Sequence, residues 1–157
     1  MENEKKLFTL AEIEPAKECK EFIENSNGIF LSAEDNFRKG HEVLKPDTYR
    51  FAKWLRQNKS EISVKISSCE NVIDLKSSEI WLPMVFLATN VALPLFLNFV
   101  YDYLKSMVRG DLSKDDPKAH LNVIYKDKGK FKKFEYNGPV EGLKKIKQFD
   151  INDFING

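Results

Sequence analysis

From Ile80 to Tyr101 the chain runs for 22 residues without a charged side chain, reading IWLPMVFLATNVALPLFLNFVY. No other stretch resembles it, in a chain that is 31% charged overall. Such a run constrains the fold more than any motif, because water must be kept from it by protein or by lipid. As one α-helix it would rise about 33 Å, enough for a bilayer core. Lys105, Arg109 and Lys114 follow it, so a span would leave the C-terminal part in the cytoplasm. Against a span stand Pro83, Thr89, Asn90, Pro94 and Asn98. The Leu, Ile, Phe and Val of the run contribute roughly 4–7 kcal/mol to insertion, and the prolines and asparagines offset much of that. The sequence therefore favours a buried central helix, broken near Ala92 by Pro94. A membrane-anchored regulator with residues 80–101 as its span is the alternative.

The flanking patterns set the expected fold. Thr9-Leu10-Ala11-Glu12 has the form of a capping box, with Phe8 and Ile13 placed as a hydrophobic staple. Ile13, Ala16, Cys19, Phe22 and Ile23 then recur at helical spacing up to Asn25-Ser26-Asn27-Gly28. Pro15 is awkward within that helix. Ser32 is placed to cap a brief helix ending at Gly40, and Pro46-Asp47 opens a further helix carrying Tyr49, Phe51, Trp54 and Leu55. Ile62, Val64 and Ile66 alternate with polar residues, as do Ile73 and Leu75, which predicts a β-hairpin. Leu121, Val123 and Tyr125 alternate again. Asp127-Lys128-Gly129-Lys130 marks a turn, and Phe131–Tyr136 is the return strand. Pro139 is suited to the first turn of a last helix with Val140, Leu143, Ile146 and Phe149 on one stripe. The expected fold is α+β: a four-stranded antiparallel sheet made of two β-hairpins, packed on the long central helix, with N-terminal helices and one C-terminal helix. Residues 1–157 are expected to form a single domain, with 1–8 frayed and 110–118 as an exposed linker.

The chain carries 25 basic and 24 acidic residues, a balance unlike that of a dedicated nucleic-acid binder. Cys19 and Cys69, 50 residues apart, form neither a disulfide framework nor a metal-binding pair. With no apolar signal segment at the start, a cytoplasmic location is expected, and an inner-membrane one if the run is a span.

Candidate chemistry is sparse. Pro46-Asp47 with Asp74-Leu75-Lys76 has the outline of a metal-dependent nuclease, in which carboxylates hold Mg²⁺ and a lysine activates water. Such an enzyme would use Asp47, Asp74 and Lys76. The plainer roles are a helix start and the wet face of a strand. His41 and His120 stand outside any zinc-ligand spacing. Cys69 with His120 is the remaining nucleophile pair to consider, while Cys19 sits on an apolar stripe as a small core residue. Lys126, Lys128, Lys130, Lys132 and Lys133 interleave with Phe131, Phe134 and Tyr136, a pattern that can meet nucleic acid. A soluble, edge-protecting hairpin explains it as well. No cofactor or metal is expected.

The stretches EIWLPMVFLATNVALPLFLNFVYDYL and HLNVIYKDKGKFKKFEYNGPVEGLKKI resemble, in layout, small accessory proteins of bacterial conflict and antiphage loci. In those, a short sheet accompanies one long apolar helix and a separate protein supplies the effector. The resemblance implies a non-enzymatic module that binds itself or another protein. Trp81, Met84, Phe86, Leu95 and Phe99 are the side chains of the run expected to make the contact.

Overall fold

The computed structural model describes residues 8–32, 34–35, 42–43, 48–67, 80–108 and 118–146. The fold is α+β. A six-stranded mixed sheet has the order β1-β8-β7-β6-β2-β5, and β3 and β4 form a separate two-stranded sheet. The strands are β1 (Phe8–Glu12), β2 (Ile29–Ser32), β3 (Glu34–Asp35), β4 (Glu42–Val43), β5 (Val64–Ile66), β6 (Ile80–Leu87), β7 (Lys118–Asp127) and β8 (Lys130–Pro139). The helices are α1 (Lys17–Asn25), α2 (Thr48–Asn58), α3 (Leu93–Val108) and α4 (Val140–Ile146).

The expected four-stranded antiparallel sheet and long central helix are both overturned. The uncharged run divides into the 8-residue strand β6, a turn, and the first half of the 16-residue helix α3. β6 lies inside the sheet between β7 and β2, parallel to the first and antiparallel to the second. A strand with apolar neighbours on both faces is apolar at nearly every position, so it carries no period to separate it from a helix. The prolines mark the division. Pro83 lies where the β6–β7 register shifts between Trp81 and Met84, and a bulge is where a sheet accepts a residue without an N–H. Pro94 lies in the first turn of α3, where an N–H would have no intrahelical acceptor. Among the described residues no helix is long and apolar enough to cross a membrane.

Other segments also differ from expectation. Thr9–Glu12 is strand rather than capping box: it pairs antiparallel with β8, from Phe8 opposite Tyr136 to Glu12 opposite Lys132. The helix begins only at Lys17, after Ala16, with no side-chain cap. Pro15 accounts for the delay, since it disfavours helical backbone at Glu14. Val64–Ile66 pairs parallel with β2, not with a hairpin partner. Residues 72–76, the expected partner, lie outside the described residues, as do 36–40, where the brief helix was expected to end. Gly28–Leu31 supplies β2. The second hairpin, by contrast, forms in the expected register, closed by Lys128 and Gly129 at φ 54° and 81°. Two consecutive positive φ values match the right-handed twist of the flanking strands. α2 and α4 also form where their stripes place them.

Each parallel pair is joined through a helix, β2 to β5 by way of α2 and β6 to β7 by way of α3. The main core lies on one sheet face beneath α2, α3 and α4. There Phe51, Phe96, Tyr103, Leu121, Phe134 and Tyr136 are almost wholly buried. On the opposite face α1 sets Cys19, Phe22 and Ile23 against Phe30, Phe86, Ile124 and Phe131. The ring of Phe30 stands between Phe22 and Phe86, at 5.3 and 5.6 Å.

Burial beneath α1 pushes the Cys19 thiol up from 9.0 to about 12. The folded protein holds this proton more tightly than the unfolded chain. Its stabilising effect is therefore complete below pH 9 and is lost as the pH rises towards 12. Chemical denaturation on either side of pH 9 should show stability falling with alkalinity, with a shallower fall in Cys19→Ala. Identical slopes in the two proteins would contradict this.

Candidate interaction face

The sheet face that carries α1 extends beyond that helix. Register places its side chains in cross-strand rows. Phe30, Phe86, Ile124, Lys133 and Ala11 form the row against or beside α1. The next row is Ser32, Met84, Asn122, Glu135 and Thr9. The row after it is Trp81, His120 and Asn137. Beyond α1 the surface is half-buried at Trp81, Met84, His120, Asn122 and Glu135, and exposed at Thr9, Ala11 and Asn137.

The last row has a defined geometry. The Trp81 indole stacks on the His120 imidazole at 3.8 Å with an interplanar angle of 14°. His120 Nδ1 lies 2.6 Å from Asn137 Oδ1, so Nδ1–H is the donor and the ring is held by its neighbour strand. Asn137 Nδ2–H in turn donates to Glu135 Oε2 at 3.3 Å. Asn122 Oδ1, in the adjacent row, is buried without a hydrogen-bond partner. Lys133 and Glu135 stand two residues apart on this face of β8, and neither forms an ion pair among the described residues.

The five side chains expected to make contacts separate into two groups. Trp81, Met84 and Phe86 come together on this face of β6, the bulge at Pro83 keeping Trp81 and Met84 in phase. Leu95 and Phe99 belong to α3, beyond the sheet. Leu95 is 44% exposed, whereas Phe99 is buried in the main core with the Lys59 ammonium 5.0 Å from its ring centre. The basic hairpin is also divided. Lys130 pairs with Glu12 at 3.4 Å and Lys132 with Asp127 at 3.2 Å. Lys132 and Lys133, being consecutive in a strand, point to opposite faces, and Lys128 sits in the turn. Asp47, Asp74, Lys76, His41 and Cys69 lie outside the described residues, and no metal-binding cluster occurs among the described ones.

The His120–Asn137–Glu135 arrangement was missed in the sequence although its signal is there. A two-residue turn at Lys128-Gly129 sets Asp127 opposite Lys130. Counting back along both strands then puts His120 opposite Asn137 and Asn122 opposite Glu135. Comparison with family models, curated proteins and solved structures gives no significant match.

Proposed function

We propose that this protein is a self-associating accessory module and that the β6–β7–β8–β1 face receives a second copy of the chain. The observation behind this is the charge pattern on β8. Lys133 and Glu135 lie on one face of one strand, flanked by the small residues Ala11 and Thr9 on β1. Two such faces apposed about a two-fold axis set each lysine against the other copy's glutamate, the self-complementarity that an isologous interface requires. Met84 and Phe86 supply apolar area beside this pair. Sheet faces pack on one another with their side chains interdigitated. A cytoplasmic setting and a role beside a separately encoded effector complete the proposal. The latter follows from the layout resemblance alone, whose long apolar helix is not a feature of this fold.

Light scattering after size-exclusion chromatography tests it. The wild-type protein should run as a dimer, and Lys133→Glu or Glu135→Lys should each shift it to monomer by facing like charges. The double exchange should restore the dimer. Leu95→Asp, on α3, should leave the dimer unchanged. A wild-type monomer at every concentration, or a double variant as monomeric as the singles, would overturn the proposal.

A further inference from the structure

A cleft of about 220 Å³ opens on the other side of the sheet, where the carboxyl ends of β6 and β7 meet the amino-terminus of α3. Leu87, Val91, Leu93 and Pro94 form its apolar walls, and Tyr125 lines it from β7. The Tyr125 side chain is only 5% exposed, and its hydroxyl is buried without a hydrogen-bond partner. A buried hydroxyl in that condition costs free energy unless something enters to accept from it. The helix end adds donors. The Phe96 N–H makes the first intrahelical bond, to the Ala92 carbonyl at 3.0 Å. The N–H groups of Leu93 and Leu95 therefore have no acceptor within the helix, and Pro94 has no N–H to offer.

Charges at the rim are already matched. Lys126 is bound to Glu24 at 2.7 Å, and Asp127 to Lys132 at 3.2 Å. The field left in the cleft is that of the helix, positive at this end. Every unmet polar group here is a donor, so the complementary ligand brings an acceptor oxygen, and the helix favours an anionic one. The space is smaller than the roughly 300 Å³ at which drug-sized pockets begin, which limits the ligand to a few carbons. We propose that this cleft binds a short aliphatic monocarboxylate. Its carboxylate sits at the α3 amino-terminus and accepts from the Tyr125 hydroxyl, and its chain lies against Leu87, Val91 and Leu93.

Titration of the full-length, ¹⁵N-labelled protein with butyrate, followed by NMR, tests the assignment. Saturable shifts are expected at the amides of Leu93, Leu95 and Tyr125, with Met84 and Glu135 unmoved. Butylamine, of the same length and opposite charge, should produce none. Tyr125→Phe removes one oxygen and keeps the ring, and should weaken butyrate binding roughly tenfold by deleting a hydrogen bond to a charged group. Absence of saturable shifts, shifts confined to surface lysines, equal binding of butylamine, or full affinity in Tyr125→Phe would each overturn the proposal. The wild-type titration decides the matter should that variant fold poorly. None of these outcomes depends on whether the protein dimerises.

Discussion

Gly28→Ala should be among the most damaging single substitutions in this protein, with an expected loss of about 3–5 kcal/mol from left-handed strain and overpacking together. Gly28 has φ 90°, a backbone conformation that a side chain resists. A Cβ there would drive into the Ser63 carbonyl oxygen, which is backbone and has little room to retreat. That same oxygen accepts from the Ile29 N–H at 2.9 Å, holding β2 to the entry of β5. The Gly28 carbonyl accepts from the Ala88 N–H at 3.0 Å, and the Gly28 N–H donates to Asn90 Oδ1 at 2.9 Å. One residue thus joins the start of β2, the approach to β5 and the turn between β6 and α3. Natural domains have only about 5–15 kcal/mol of net stability, so the substitution removes a large part of it. Denaturant titration should show a sharply lowered midpoint, and a midpoint near that of wild type would contradict the account.

Phe96→Ala is expected to cost a similar amount, about 3–5 kcal/mol, from lost transfer energy and the cavity left behind. Phe96 is fully buried on α3, with the Phe51 ring of α2 edge-on at 6.1 Å. Phe51 in turn lies 4.9 Å from the Tyr103 ring, so emptying the site loosens the α2–α3 contact as well as the sheet beneath. Leu95→Ala, one residue earlier in the same helix and 44% exposed, should change stability by no more than about 0.5 kcal/mol. Equal effects at the two neighbours would mean that α3 does not present the face described.

What could be read from the chain depended on whether a segment had one wet side. The Lys118–Pro139 hairpin and helices α2 and α4 carry alternation or stripes, because each faces water somewhere. β6 is covered by apolar groups on both faces and shows no pattern, so length alone suggested a helix. Pro83 and Thr89-Asn90 were the available signs of a strand and a turn. β1 was hidden for another reason. Thr9 and Glu12 suit a helix cap locally, and only the distant strand β8 makes Phe8–Glu12 extended. At the candidate face, Trp81, Met84 and Phe86 could be picked out as large apolar residues. Their gathering on one side depends on the bulge at Pro83, which belongs to the pairing with β7. The cleft beside Tyr125 was not legible, because it exists only where a strand end meets a helix start.

The pairing of β1 with β8 has a consequence for synthesis. Phe8 leaves the ribosome among the first residues, yet its partner Tyr136 belongs to the last strand made. At ~5–20 residues per second the wait is of the order of ten seconds, during which the nascent amino-terminal segment has no sheet to join. The seam is closed late, so a message truncated before β8 would yield a chain whose first strand has nowhere to dock.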